Sequence, residues 1–180
     1  MSETKIQNIL QYVVESSGQD VLSCYHCQKC VAGCPVAPFM DIAPNVLHRM
    51  LQYGQKDEIL KSSTIWICAA CETCGERCPN DIDIAKVCDA LKQLAMKEGI
   101  RPKEKSAAAM HTSFLSGIAR NGRMHEVSLI VQMRMKGGGL FKDLLLGLKM
   151  FRLGKLNPFP ERVKKMDEIK KLFTAARKAR

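Results

Sequence analysis

The 180-residue chain is poor in aromatic residues, at 6%, and no stretch approaches the roughly 20 consecutive apolar residues of a membrane-spanning helix. Its core must therefore be built mainly from aliphatic residues and methionine. The chain opens with the polar segment MSETKIQN rather than with a basic and apolar leader. We therefore expect a cytoplasmic protein without a membrane span.

Strand patterns are also missing, because no alternation of apolar and polar residues is long enough to indicate a strand. Amphipathic helical patterns dominate instead, and glycine or proline marks several of their ends. The sequence therefore predicts an all-α fold. The predicted helices cover ETKIQNILQYVVESSG (3–18), DIAPNVLHRMLQYG (41–54), KDEILK (56–61), and residues 83–98, 103–119, 124–136, 140–152 and 160–178.

Cysteine, in contrast, is abundant: the chain has 9, and eight of them lie in two copies of one motif. The copies read SCYHCQKCVAGCP at 23–35 and ICAACETCGERCP at 67–79, with a constant offset of 44 residues. A disulfide framework is not expected in a reducing cytoplasm. Zinc is an alternative, although structural zinc sites usually combine two separate pairs of ligands. The spacing C-x2-C-x2-C-x3-C-P is the bacterial signature of [4Fe–4S] clusters.

The spacing also predicts how two clusters share the ligands. Three cysteines at i, i+3 and i+6 on a curling loop can bind three irons of one iron–sulfur cube. The fourth cysteine, followed by a proline that prevents a continuous helix, serves the other cluster. This arrangement would keep the clusters close and couple folding to metal binding. We assign cluster 1 to Cys24, Cys27, Cys30 and Cys78, and cluster 2 to Cys68, Cys71, Cys74 and Cys34.

The sequence also predicts the structural roles of four other residues in or near the motifs. Gly33 and Gly75 either permit conformations that turn backbone N–H groups toward cluster sulfurs or simply form tight turns. His26 is predicted to be a surface residue, since four cysteines are available to each cluster. Cys88, the ninth cysteine, falls on the apolar stripe of the helix at 83–98 and is predicted to be part of the core.

Charge divides the chain. Residues 24–97 contain eight basic and eight acidic side chains, whereas residues 98–180 contain 19 basic and seven acidic ones, a net +12.

We expect a two-cluster domain at 1–100 and a helical C-terminal extension at 101–180 that docks on partner subunits, with KGGGL at 136–140 as a hinge. For LFKDLLLGLKMF at 140–151, a membrane-surface helix is an alternative. For the basic end of the chain, nucleic-acid binding is a remote alternative.

On these residues the chain resembles the C-type iron–sulfur subunit of the CoB–CoM heterodisulfide reductases of methanogenic archaea. The resemblance rests on both cysteine motifs, the helical segment between them, the short chain, and SFLSGIARNGRMHE at 113–126. The cysteine motifs are shared with iron–sulfur subunits of succinate dehydrogenase, anaerobic glycerol-3-phosphate dehydrogenase and glycolate oxidase. Many of those relatives carry a CCG signature, which this sequence lacks.

The resemblance implies a helical ferredoxin-like domain with two [4Fe–4S] clusters and no catalytic residue. The chain would be the electron-transfer subunit of an oxidoreductase complex, with a larger hydrogenase-linked complex as a further expectation. Electrons would pass from a flavin-containing subunit to a CCG-domain catalytic subunit, which reduces the CoM-S-S-CoB heterodisulfide in methanogenesis. A relay subunit of a glycolate or lactate oxidase, or of a glycerol-3-phosphate dehydrogenase, is the alternative.

Overall fold

The computed structural model describes residues 8–100, 103, 105–137, 144–155 and 159–178. The chain forms two compact units, Met1–Glu104 and Lys105–Arg180, which we call the N-terminal and C-terminal units. Every regular element in the described ranges is helical, which confirms the all-α prediction. Residues 3–7 of the first predicted helix, 138–140 of the predicted hinge and 140–143 of the following helix lie outside those ranges.

The N-terminal unit contains seven α-helices and two 3-10 turns in its described part. The 3-10 turns, Val21–Ser23 and Ala37–Phe39, flank the first cysteine motif. The α-helices are α1 (Ile9–Ser17), α2 (Lys29–Ala32), α3 (Pro44–Gln52), α4 (Lys56–Lys61), α5 (Thr64–Ile67), α6 (Thr73–Glu76) and α7 (Ile84–Lys97).

The ends of the longer helices follow the sequence signals. Asn8 begins α1 by accepting the backbone N–H groups of Leu10 and Gln11, and Gly18 ends it in a left-handed conformation with φ of 67°. Pro44 lies in the first turn of α3, and Gly54, with φ of 68°, follows its last turn. The glycine stops and the start near Pro44 confirm the boundaries expected from the sequence, whereas α1 begins at Ile9, later than the predicted range of 3–18.

Helix α7 is the main core element of this unit. Asp83 begins it by accepting the N–H groups of Ala85 and Lys86. Its apolar stripe packs against α1, α4 and α5, and Cys88 is only 1% exposed, which confirms that this cysteine belongs to the core. Burying each large aliphatic side chain contributes about 1.5–3 kcal/mol. The fully buried large side chains include Ile9, Val13, Val21, Leu47, Leu51, Ile59, Leu60, Ile65, Val87, Leu91 and Leu94.

The C-terminal unit consists of α8 (Lys105–Asn121), α9 (Glu126–Gly137), α10 (Leu144–Arg152) and α11 (Met166–Lys178). Helix α8 packs against α9, and α11 contacts α8. Gly122 follows α8 with φ of 78°, and a side chain there would collide with Val163. A glycine is therefore required at this turn both for conformation and for space.

Helix α11 starts later than the sequence predicts. The expected helix at 160–178 begins only at Met166. Val163, which falls within the predicted range, instead donates its backbone N–H to the carbonyl oxygen of Asn121 at 3.1 Å. The residue therefore makes a tertiary contact with the end of α8, and helix formation is delayed until after it.

The described part of the C-terminal unit buries little apolar surface. Ala109 is its one buried hydrophobic residue, and many larger apolar side chains are exposed. No helix in the described ranges is long and apolar enough to span a membrane. The exposed apolar residues of this unit are Met110, Phe114, Leu115, Met124, Ile130, Val131, Met135, Leu148, Phe151, Leu153, Phe159 and Leu172.

Candidate metal-cluster site

The two cysteine motifs repeat in backbone conformation as well as in sequence. His26 and Ala70, which are equivalent positions, have φ of 62° and 51°, and Gln28 and Glu72 have φ of 65° and 60°. Each loop then enters a four-residue helix, α2 or α6, and these helices are also 44 residues apart. Left-handed residues redirect the chain sharply. Each loop therefore curls between its first and third cysteine.

Neither of the two motif glycines has a left-handed conformation. Gly33 has a φ of −103°, which any residue adopts, and Gly75 lies inside α6. A Cβ on Gly33 would collide with the side chain of Arg77, whereas a Cβ on Gly75 would make an ordinary contact with the Asp83 backbone at 3.6 Å. Space is therefore restricted at Gly33 but not at Gly75, where the backbone N–H interacts with the Cys74 sulfur.

Hydrogen bonds join the end of the second motif to the start of the first. The Nδ2 amide of Asn80 donates to the carbonyl oxygen of Ser23, the residue before the first cysteine. Nearby, the backbone N–H of Asp83 donates to Oε1 of Gln19 at 2.7 Å. These bonds hold Cys78 beside the first motif, although 54 residues separate it from the first cysteine in sequence.

A matching junction joins the end of the first motif to the start of the second. The Asp41 carboxylate accepts the backbone N–H groups of Ser63 and Thr64 at 3.0 Å. The Thr64 hydroxyl accepts the N–H of Ile42 at 2.9 Å. Burial raises the pKa of Asp41, but these hydrogen bonds outweigh it and lower the pKa to about 2. The carboxylate is therefore ionised whenever the protein is near neutral pH.

One cavity of the N-terminal unit is lined by three cysteines of the first motif and one of the second. It is partly open to the solvent, and its atom-free space, open solvent included, is about 320 Å³. Soft thiolate donors around such a hollow are what an iron–sulfur cluster requires, so the residues fit a [4Fe–4S] group. In the described ranges, no three His, Cys, Asp or Glu side chains converge tightly enough for a single metal ion. The lining residues are Cys24, His26, Cys27, Gln28, Cys30, Asn45, His48, Cys78, Ile82 and Ile84.

The other four cysteines interact through their sulfur atoms. Burial raises the pKa of Cys74, and the neighbouring Cys68 and Cys34 raise it further. Cys71 lies at the surface, where a hydrogen bond with Thr73 lowers its pKa, and Cys68 acts on it in the opposite direction. The fold thus places the last cysteine of the first motif close to the second motif.

Equivalent cysteines of the two motifs have similar exposure. Cys27 and Cys71 are both exposed, whereas Cys30 and Cys74 are both half-buried. Burial raises the pKa of Cys30 to about 11, and Cys74 acts on it electrostatically across the motifs. Since iron binds thiolates, binding a cluster here would release the protons of these buried thiols.

Comparison with known proteins gives the family. Residues 23–83 match the 4Fe-4S dicluster domain. The C-type iron–sulfur subunit of the CoB–CoM heterodisulfide reductase of Methanopyrus kandleri is 37% identical over 90 residues, 50% of this chain and 47% of that protein. The C-type subunit of the ferredoxin:CoB–CoM heterodisulfide reductase of Methanosarcina mazei is 32% identical over 101 residues, 54% of this chain and 61% of that protein.

A third relative covers more of both chains. The second C-type iron–sulfur subunit of the CoB–CoM heterodisulfide reductase of Methanocaldococcus jannaschii is 30% identical over 143 residues, 73% of this chain and 72% of that protein. The chain belongs to the family of C-type heterodisulfide reductase subunits. This confirms the resemblance seen in the sequence, and the domain match supports [4Fe–4S] binding. The chain spans only 47% and 61% of the length of the first two relatives.

In this family member, the one cysteine outside the motifs contacts a motif cysteine. A hydrogen bond from the Cys88 thiol lowers the pKa of Cys68 to about 6, outweighing the effect of burial, and raises the pKa of Cys88 itself. Lys92 also lowers the pKa of Cys68, while Asp89 opposes it. The Cys88 and Cys68 sulfur atoms are therefore hydrogen-bond partners.

Two cavity residues on α3, Asn45 and His48, were not predicted from the sequence. His48 is 2% exposed; burial, with a smaller effect from His26, lowers its pKa to about 4. His26, which was predicted to be a surface residue, is half-buried, lines the cavity and places Nε2 3.3 Å from Oε1 of Gln52. A histidine on the apolar face of α3 was the available signal for His48, but the sequence does not tell which cavity that face meets.

Proposed function

We propose that this chain is an electron-relay subunit that holds two [4Fe–4S] clusters. The observation that carries the proposal is the cavity in which Cys78 of the second motif lies with the first three cysteines of the first motif. One-electron transfer is the chemistry that such clusters supply when bound. Cluster 1 would be bound by Cys24, Cys27, Cys30 and Cys78, and cluster 2 by Cys68, Cys71, Cys74 and Cys34.

The residues of the chain would hold the two clusters in a fixed relation. The junction bonds from Asn80 to Ser23, and from Ser63 and Thr64 to Asp41, fasten each motif to the other. The half-buried Cys74 acts electrostatically on Cys30, its equivalent in the first motif, which supports a short path between the two ligand sets. The exposed second cysteines would give each cluster one side near the surface, where a redox partner can approach.

The names of the relatives supply the enzyme to which such a relay would belong. In our proposal, a flavin-containing subunit delivers electrons, and a CCG-domain catalytic subunit receives them and reduces the CoM-S-S-CoB heterodisulfide of methanogenesis in the cytoplasm. The C-terminal unit would dock on these two partners. Its exposed apolar side chains and the net charge of +12 on residues 98–180 support that role.

Reconstitution tests this assignment. The flavin-containing and CCG-domain subunits would be combined anaerobically with the full chain, and electron transfer to the heterodisulfide would be followed. We expect activity only when the chain is present, and a loss of at least 100-fold with a Cys30→Ala, Cys74→Ala double variant. Full activity without the chain would contradict the proposal, and assembly with a glycolate or lactate oxidase flavoprotein instead would favour the alternative relay.

A further inference from the structure

His48 is a buried polar side chain with an unused hydrogen-bonding atom. The residue is 2% exposed and lines the cavity that contains Cys24, Cys27, Cys30 and Cys78. Its Nδ1 atom is fully buried and has no hydrogen-bond partner among the residues that the structure describes. Leaving such an atom unpaired destabilises the folded protein. Buried polar atoms without a protein partner are rare, and a ligand in the cavity is one explanation.

The position of the ring is fixed by the fold. His48 lies in the middle of α3, between the buried residues Leu47 and Leu51. At the end of this helix, Gln52 donates from Nε2 to the carbonyl oxygens of Val21 and Cys24, at 3.2 and 3.4 Å. The helix that carries His48 is therefore attached to the loop that carries the first cysteine.

We propose that His48 donates a hydrogen bond from Nδ1 to a sulfur atom of the cluster held in this cavity and thereby raises its reduction potential. The inference rests on the proposed function, since it needs a cluster on these four cysteines. Reduction adds negative charge, so a donor stabilises the reduced form more than the oxidised form. The neutral Nδ1 tautomer and the protonated ring both supply the required N–H.

The effect should be confined to cluster 1. The repeat offset of 44 residues places Lys92 at the position equivalent to His48. Lys92 acts on Cys68, a ligand of the other set, and pairs with Asp89 at 3.1 Å. A change at His48 therefore alters one cluster environment and leaves the other as an internal reference.

The test compares His48→Leu with His48→Asn in the full chain with its clusters. Leucine removes the donor and keeps an apolar side chain, whereas asparagine keeps an amide N–H close to the position of Nδ1. The two potentials are measured by redox titration followed by EPR. We expect His48→Leu to lower the reduction equilibrium constant of cluster 1 about tenfold, or about 59 mV for one electron. His48→Asn should recover at least half of that shift, with cluster 2 changed less than twofold.

Equal potentials of cluster 1 in wild type and His48→Leu would overturn the inference, as would a His48→Asn variant whose potential shifted as far as that of His48→Leu.

A second measurement covers the case in which His48→Leu fails to assemble. In a His26→Asn background, which removes the other cavity histidine and keeps a residue that tolerates a positive φ, reduced cluster 1 should show coupling to 15N-labelled histidine. Absence of that coupling would overturn it too. Failure of the proposed function itself is recognised separately, by iron and sulfide analysis of the wild type.

Discussion

The two cysteine motifs have the same spacing, the same left-handed positions and the same short helix, but different surroundings. The first motif faces the neutral residues Asn45 and His48 of α3. The second faces Cys88 and the Lys92–Asp89 pair of α7. The comparison indicates that cysteine spacing determines the loop that binds a cluster, whereas the helix after each loop determines its electrostatic environment.

The side chains that hold the two loops in place differ as well. Gln52 bonds to the first loop through the carbonyl oxygen of Cys24. Its counterpart 44 residues later is Met96, which is 47% exposed. Two chemically identical ligand sets therefore have unequal surroundings within one chain. Unequal environments allow two equal clusters to have different potentials.

The largest effect is expected when the fourth cysteine of either motif is replaced by serine. In the crossed arrangement, Cys78→Ser should perturb the cluster of the first motif, and Cys34→Ser the cluster of the second. Each variant should lose or broaden one EPR signal and leave the other intact, because each fourth cysteine serves the opposite loop. The two variants act as controls for each other.

The crossed arrangement would be wrong if Cys34→Ser damaged only the cluster of Cys24, Cys27 and Cys30. A variant at Cys88 gives a further check on the assignment, since this cysteine lies outside both ligand sets.

The next effect concerns the junction at Asp41. Asp41→Ala should lower the free energy of unfolding by about 2 kcal/mol, because the Ser63 and Thr64 N–H groups lose a charged acceptor in a partly exposed site. Anaerobic urea unfolding followed by circular dichroism measures the change. Asp57→Asn, an exposed position in α4, is the control and should change it by about 0.5 kcal/mol or less.

The difference in the free energy of unfolding between wild type and Asp41→Ala depends on pH through the pKa of Asp41. The fold lowers it from 3.8 to about 2. The stabilisation is therefore fully present above about pH 4 and is lost as the pH falls toward 2. The difference between wild type and Asp41→Ala should accordingly stay constant from about pH 5 to 8. A difference that changed within this range would contradict an ionised, hydrogen-bonded Asp41.

A smaller effect tests the repeated loop conformation. Ala70 has φ of 51°, and its neighbour Ala69 does not have a positive φ. Both are exposed, so burial does not separate them. Ala70→Val should destabilise the protein by about 1–2 kcal/mol, because a β-branched residue is strained in the left-handed region. Ala69→Val is the matched control in the same unfolding experiment, and equal losses for both variants would rule out the left-handed conformation.

The smallest effect is expected at Cys88. Cys88→Ala should keep the full iron and sulfide content, because this buried thiol is not a ligand. It should lower the reduction equilibrium constant of cluster 2 by less than tenfold, because S–H is a weak donor to Cys68. Redox titration of the variant measures this. A Cys88→Ala protein that lost half of its iron would show that Cys88 is a ligand after all.

Much of the scaffold follows from the sequence. Gly18 and Gly54 mark helix ends, and the apolar stripe of α7 predicts the burial of Cys88, because these features depend on local conformation and periodicity. The start of α11 does not follow, because the contact of Val163 with the end of α8 is a tertiary interaction. Local patterns carry no information about such partners.

In the candidate site, too, local sequence features are predictable and tertiary contacts are not. The motif spacing predicts which cysteines belong together, and the cavity with Cys78 supports that grouping. The left-handed conformations of Gln28 and Glu72 could not be predicted, because neither residue type favours a positive φ. His48 could not be placed at the cavity either, because its position depends on how α3 packs against the first loop.

Iron and sulfide analysis tests the central claim most directly. The full chain would be purified under strictly anaerobic conditions, and iron, zinc and acid-labile sulfide would be measured for each polypeptide. Two [4Fe–4S] clusters predict about eight iron and about eight sulfide per chain. A folded protein that contained zinc and no acid-labile sulfide would contradict the account.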